Sequence, residues 1–356
     1  MNKLKTLYDI SWKVSEEEYR KDKAYSYSTL ARFNREGFNN LYKLFDKIES
    51  PSLLFGSIVD TLLTGTQEEF DSKYVIADFP AITDSLIQIS KKLFDSYHES
   101  YKTIDEIPDN ILASVGAECG YYTSDKYATY RVKKIKEECS NYYNLLYLAL
   151  NKTLISNADY VLALSCSDSL KNDSATSYYF KPNDPFDNKI ERFYQLKFKG
   201  TYDNISLRCM ADLLIVDREH KIILPCDLKT SSKPEWDFYK SFIDWNYWIQ
   251  AQLYWYIIRQ NLDNDEEFKD YTLANYRFIV INKNNLKPLV WEYRDTQSTV
   301  DLYYGNNDKY KCKNWREIVR ELNFYLTSNP KYPLNIKEIN DISDWLNSNI
   351  STQIIE

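Results

Sequence analysis

The chain has 356 residues, 44 % hydrophobic, 27 % charged and 16 % aromatic. This excludes disordered, collagen-like and membrane-embedded classes and suffices for a core without disulfide or metal staples. The net charge of −7 argues against a wholly basic surface and leaves room for one local basic groove. The longest apolar runs, such as LLYLAL at 145–150, fall far short of the roughly 18 residues a bilayer span needs. Asp9 stands where a signal peptide would need an apolar stretch, so a cytoplasmic protein without a membrane partner is expected.

In chain order, residues 1 to 160 read mainly as helix, with serines that can cap SYSTLARFNREG at 26–37 and an apolar stripe at 55, 58, 59, 62 and 63. YATYRVKKIKEECSNYYNLLYLAL at 127–150 reads as two further helices. From about 190 the pattern changes to period-two alternation. RFYQLKFKGTY, SLRCMADLLIVD, KIILPCDLKT, YRFIVIN and PLVWEY read as five strands, with one long aromatic helix at 236–260 between the third and fourth. A last helix is expected over NWREIVRELNFYL. No Gly-, Ser- or Pro-rich linker divides the chain. The expectation is one α/β unit over 1–356: a mixed sheet flanked by helices at 190–356, and a mainly helical part at 1–160.

The informative stretch is CMADLLIVDREHKIILPCDLKTS at 209–231. With a turn at 217–220, Asp212 faces Pro225 and Asp227 lies one diagonal step away, roughly 7–8 Å between backbones. Asp212 is expected among Met210, Leu214 and Val216 on its face. Asp227 and Lys229 are two apart and point to one side. Two acids that hold a hard divalent cation beside a lysine suit phosphodiester hydrolysis. The ion neutralises phosphate charge and polarises a water, and the ammonium stabilises the pentacovalent state.

Downstream, Gln250 and Tyr254 are four apart, as are Gln252 and Tyr256, so either pair can present an amide and a phenol together. The two pairs lie about 200° apart on the helix, and only one is expected to face inward. The Gln250 face continues through Tyr247, Ile257 and Ile258. Upstream, Gly56 and Asp60 are four apart beside the apolar stripe. The six cysteines, at 119, 139, 166, 209, 226 and 312, have neither zinc nor iron–sulfur spacing and read as reduced core thiols. His98 and His220 lie outside the constellation. RVKKIK at 131–136 can track a DNA backbone or form a solvated helix face.

Taken in order, SYSTLARF, Gly56 to Asp60, Asp212, Asp227-Leu-Lys229 and Gln250 to Tyr254 resemble the PD-(D/E)XK nuclease superfamily, in its branch of RecB-type and phage recombination exonucleases (exonuclease VIII-like). The resemblance spans about 230 residues and implies a restriction-endonuclease-like core. It implies a Mg²⁺- or Mn²⁺-dependent deoxyribonuclease, an exonuclease of phage-type recombination or DNA end processing. Asp60, Asp212 and Asp227 would be metal ligands, Lys229 catalytic, and Gln250 and Tyr254 would shape the site. It also implies DNA and a single-strand annealing or recombination protein as partners, and the host cytoplasm as location if the chain is phage-encoded. Asp60 stands where this family commonly has histidine, and the four-cysteine iron–sulfur clasp of some relatives is absent. No phosphate-binding G-x-x-x-x-G-K-[ST] loop is present, so ATP is not expected. The alternatives are a structure-specific endonuclease and a non-catalytic DNA-binding recombination partner with the same fold.

Overall fold

The computed structural model describes residues 4–37, 41, 43–46, 48–78, 80, 82–150, 152–294, 301–304 and 308–328. The chain divides into two compact units, residues 1–56 with 168–356, and residues 57–167. The sequence suggested one unit with a helical part ending near 160. The boundaries instead fall inside the helices Pro51–Thr64 and Asn157–Asn172, where helix-forming rather than linker residues are needed.

The chain opens with α1 (Leu7–Ile10), α2 (Glu16–Lys21), α3 (Tyr27–Glu36) and α4 (Pro51–Thr64). A capping box starts α2: the Ser15 hydroxyl accepts from the Glu18 amide, and the Glu18 carboxylate accepts from the Ser15 amide. Gly37, at φ +58 and ψ −145, ends α3 in a positive-φ region that glycine, lacking a Cβ, enters without steric cost.

Within the second unit follow α5 (Gln67–Lys73), β1 (Tyr74–Ala77), α6 (Asp84–Tyr97), α7 (Asp109–Glu118), α8 (Ala128–Ala149), β2 (Thr153–Ser156) and the start of α9 (Asn157–Asn172). Apolar residues of α8 recur at Val132, Ile135, Cys139 and Tyr143, a single helical stripe that packs with Leu86, Ile89 and Leu93 of α6. Because the stripe is unbroken, α8 is one helix where two were expected. β1 and β2 form a parallel pair that has no counterpart in the sequence reading.

The first unit holds the sheet. Its strands are β3 (Ile190–Tyr202), β4 (Ile205–Asp217) and β5 (Ile222–Ser231). After α10 (Phe238–Asp244) and α11 (Tyr247–Asp263) come β6 (Thr272–Leu273), β7 (Tyr276–Asn282) and β8 (Pro288–Tyr293). The hairpin β9 (Asp301–Tyr304) and β10 (Asp308–Lys311) precedes α12 (Trp315–Ser328). The main sheet is mixed and ordered β3-β4-β5-β7-β8, with β6 beside β5; β5 and β7 are parallel and β3/β4, β4/β5 and β7/β8 antiparallel. All five expected strands are present in this mixed α/β sheet flanked by helices.

β5 is central, and its first half is a continuous buried run from Ile223 to Asp227, the pattern of a strand covered on both faces. Pro225 falls where β5 changes parallel partner, between Ile223↔Leu273 and Cys226↔Arg277, so its missing N–H coincides with a break in the ladder. α11 packs against β3, β4 and β7 on one side and α3 and α12 on the other. Trp248, Phe238, Phe242, Phe278 and Tyr276 fill the core between them.

The aromatic helix expected at 236–260 is broken. α10 ends at Asp244 and α11 starts at Tyr247, because Asn246 adopts φ +58 and interrupts the helical path. The buried Asn246 is held by the Asn34 side-chain amide at 2.8 Å and itself donates to the Ile243 carbonyl at 2.9 Å.

Phe242 is 1 % exposed and its ring meets Trp291, Tyr293 and Phe278 at centroid distances of 5.2, 5.7 and 5.8 Å. Phe242→Ala should therefore lower the unfolding free energy by about 3–5 kcal/mol, read from urea titrations. Phe186→Ala, at a position 96 % exposed, should leave it within about 0.5 kcal/mol.

Candidate active site

The hairpin between β4 and β5 sets the acids. Asp217 pairs with Ile222 and Leu213 with Cys226, so the loop is Arg218–Lys221 rather than residues 217–220, and Lys221 takes φ +52. This one-residue shift corrects the expected register: a further pair, had the ladder run on, would set Asp212 opposite Asp227 rather than opposite Pro225. The β4–β5 ladder stops at Leu213↔Cys226 and β5 continues beside β7. Where the two strands part, the Asp212 carboxylate accepts from the Leu228 backbone amide at 3.0 Å.

The surroundings expected for Asp212 also change. The core takes Leu207, Cys209 and Ala211 of β4 and then Leu214 and Val216, so the alternation changes phase at Asp212–Leu213. The neighbouring strand does the same, with both Phe193 and Leu196 in the core. Gln195 lies between them at φ +53, and its side-chain amide reaches the Asp212 carboxylate at 3.4 Å. Asp212 thus leaves the face of Leu214 and Val216. No composition signal pointed to Gln195, since a glutamine in the left-handed region is set by its tertiary surroundings.

Asp227 is 1 % exposed. One carboxylate oxygen accepts from Gln250 Nε2 at 2.5 Å, and the other lies 2.5 Å from Lys229 Nζ. The ammonium also lies 4.9 Å from the centre of the Tyr247 ring. Tyr247 and Gln250 are three apart on α11 and share a face. Burial works to depress the Lys229 pKa, but Asp227, Tyr247 and Asp212 outweigh it and hold the ammonium above its ordinary value. Tyr254, one turn beyond Gln250, is buried, which pushes its phenol well above the ordinary value; the charges of Asp227 and Asp212 add to that.

The other pair on α11 is placed differently. Gln252 is fully buried and donates to the Tyr293 hydroxyl at 3.0 Å. The Tyr256 hydroxyl donates to the Thr201 carbonyl at 3.1 Å. Only one glutamine was expected to face inward. Both do, because α11 is covered on two sides, by the sheet and by α3 and α12. Tyr27 and Tyr247 also belong to the setting: their rings lie 6.3 Å apart and both feel the Asp227 charge. Tyr27 lies in the serine-rich opening segment, whose composition draws attention to the capping serines rather than to the tyrosine.

Asp60 lies on α4 in the second unit, one turn after Gly56. Among the described residues no three His, Cys, Asp or Glu side chains form a ligand cluster, whereas the resemblance implied three acids. Two carboxylates do meet the needs of Mg²⁺, which is held by one or two acids and keeps its waters. The Gln250 side-chain oxygen is buried with no donor, so a metal-bound water would satisfy it. The donor set fits a hard divalent ion. The RVKKIK segment is largely neutralised: Lys134 pairs with Glu138 at 3.0 Å and Lys136 with Asp109 at 2.6 Å. Within the second unit His98 Nδ1 meets the Phe94 carbonyl at 2.7 Å, and His220 lies beside Asp217 at 2.9 Å in the β4–β5 loop. Cys209 and Cys226 are buried, which raises both thiols well above their ordinary value. Among the described residues no helix is long and apolar enough to cross a membrane.

No family model and no curated protein matches the chain. Among solved structures, one from Eubacterium rectale, carrying a provisional exonuclease name, superposes with a TM-score of 0.40 at 15 % identity, over 80 % of this chain and 79 % of that one.

Two outcomes follow from the buried ion pair. Lys229→Met leaves the Asp227 carboxylate buried without its cation and should cost about 3–5 kcal/mol of stability, while Asp227→Asn combined with Lys229→Met should recover much of it. A double-mutant cycle in urea measures this. Because the folded-state pKa of Lys229 is raised, its contribution is fully present below the unfolded value of about 10.4 and lost as pH rises through the higher folded value. Between pH 6 and 9 Lys229 therefore keeps its charge and its full contribution in the wild-type protein; a wild-type stability lost across that window through deprotonation of Lys229 would contradict the assignment.

Proposed function

We propose that this chain is a metal-dependent deoxyribonuclease of the PD-(D/E)XK type, an exonuclease that acts in phage-type recombination or DNA end processing. The observation that carries the reading is the convergence of Asp212, Asp227, Lys229 and Gln250 where β4 and β5 part. When bound, Mg²⁺ or Mn²⁺ would neutralise phosphate charge and acidify a water. The chain's own groups do the rest. Asp227 and Asp212 would hold the ion, and Gln250 fixes the Asp227 carboxylate through one oxygen. Lys229 stays protonated and stabilises charge that develops on the phosphate oxygens. Tyr247 and the Tyr254 turn of α11 wall the lysine and the acids from one side.

Asp60 remains assigned by resemblance as a third ligand. A carboxylate there is a harder donor than the histidine common in the family and would favour Mg²⁺ over Mn²⁺. Calorimetric titration of Asp60→Asn tests it: weaker metal binding together with reduced cleavage supports the role, and unchanged values remove Asp60 from the site.

End-labelled linear and closed circular DNA, incubated with Mg²⁺, Mn²⁺ or EDTA, tests the activity itself. Linear DNA should shorten from its ends with either metal and survive in EDTA, and circular DNA should stay intact. Asp212→Ala and Asp227→Ala should each lower the rate on the order of 10³-fold, about 4 kcal/mol. Gln250→Ala should lower it far more than Gln252→Ala, whose side chain serves Tyr293. Cleavage by Asp227→Ala at the wild-type rate would overturn the assignment of the site to these residues.

A further inference from the structure

Beside the acid site, at the joint between α10 and α11, a large aromatic side chain stands in solvent. Trp245 is 52 % exposed, although the chain is buried again at Asn246, the residue that follows it. Its backbone does not wander. The Tyr27 hydroxyl donates to the Trp245 carbonyl at 2.7 Å, and Arg35 reaches the same oxygen at 3.4 Å. The following residue, Asn246, is locked in the left-handed region by Asn34. The indole is therefore presented on a fixed stem.

Two features say what it is presented to. The exposed Arg35 guanidinium lies 5.3 Å from the centre of the indole ring and forms no ion pair among the described residues, so a cation stands beside a π-face. The stem also leads directly to the chemistry: Tyr27 contacts Tyr247, and Tyr247 carries the Lys229 ammonium. A flat aromatic surface beside an exposed guanidinium that no described carboxylate neutralises matches a nucleobase with its phosphate. The nearest carboxylate in sequence, Asp244, is already neutralised by Lys233 at 2.8 Å.

A second exposed tryptophan provides the contrast. Trp236 is 74 % exposed but stands beside Glu235, which takes the Asn285 side-chain amide at 2.9 Å and would repel a polyanion; its other neighbour, Asp237, pairs with Lys240 at 2.9 Å.

We infer that Trp245 and Arg35 form a stacking platform for an unpaired nucleotide of the DNA strand that enters the acid site, so that the enzyme engages single-stranded or frayed ends. This rests on the nuclease reading above and adds the form of the substrate.

The test uses the full-length protein and a fluorescein-labelled single-stranded 15-mer, with a blunt hairpin duplex for comparison, titrated in EDTA so that nothing is cut. Base–aromatic stacking contributes enough that Trp245→Ala should weaken single-strand binding roughly tenfold. Trp245→Phe should restore most of it, Arg35→Gln should weaken it and lower the salt slope by about 1, and Trp236→Ala should bind as wild type. In Mg²⁺, Trp245→Ala should raise KM on single-stranded DNA and leave kcat near the wild-type value. Unchanged single-strand affinity in Trp245→Ala, or an equal loss for the duplex and for Trp236→Ala, overturns the platform. In that case wild-type cleavage with an inactive Asp227→Ala still upholds the nuclease. A wild-type protein that cuts no DNA in either metal removes both.

Discussion

The arrangement around β5 depends on one constraint: a carboxylate that is 1 % exposed must be paired on both oxygens. Asp227 meets this with Lys229 from its own strand and Gln250 from α11. The first partner follows from the period of a strand and needs no tertiary structure. The second requires that α11 cross the sheet at one height and with one rotation. The helix, its bulky aromatic packing and its covering helices can thus be understood as what holds an amide against a buried acid.

The same constraint explains why β4 and β5 separate where they do. If their ladder continued past Leu213↔Cys226, the Leu228 amide would not be available to the Asp212 carboxylate, and the two acids would face each other across a closed sheet. The parting frees a backbone donor for Asp212 and opens the space between the acids. The phase change at Gln195 and at Asp212–Leu213 serves the same end, because it turns Asp212 away from the core that Leu214 and Val216 fill.

Much of this was legible in the residues. Apolar and β-branched runs bounded by polar turns mark all five main strands, and Lys229, two residues after Asp227, and Gln250, on the inward face of the aromatic helix, are the groups that meet at Asp227. The parts that were not legible share a physical cause: they turn on single residues in unusual backbone conformations. Lys221 at φ +52 moves the hairpin loop by one position and with it the register of the acids. Asn246 at φ +58 divides one expected helix into two. Gln195 at φ +53 shifts the phase of β3. Asparagine is tolerant of this region, so Asn246 carried a faint signal, whereas lysine and glutamine carry none. The unit boundaries were hidden for a different reason, since helices that run through them need no linker composition.

The opening helix acquires a mechanical role from these details. Tyr27 and Asn34 are seven apart on α3 and lie on one face; Arg35 follows. All three bond to Trp245 or Asn246, the two residues that separate α10 from α11. Left alone, that joint would be a hinge at the head of the helix that carries Tyr247 and Gln250. A rotation there would swing the amide off Asp227 and the ring off Lys229. α3 therefore acts as a splint: residues more than 200 positions away in sequence fix the α10–α11 joint, and the joint fixes the acid. On this argument the serine-rich opening segment serves the site twice: Tyr27 packs against Tyr247, and Tyr27 and Asn34 fix the angle at which α11 leaves the joint.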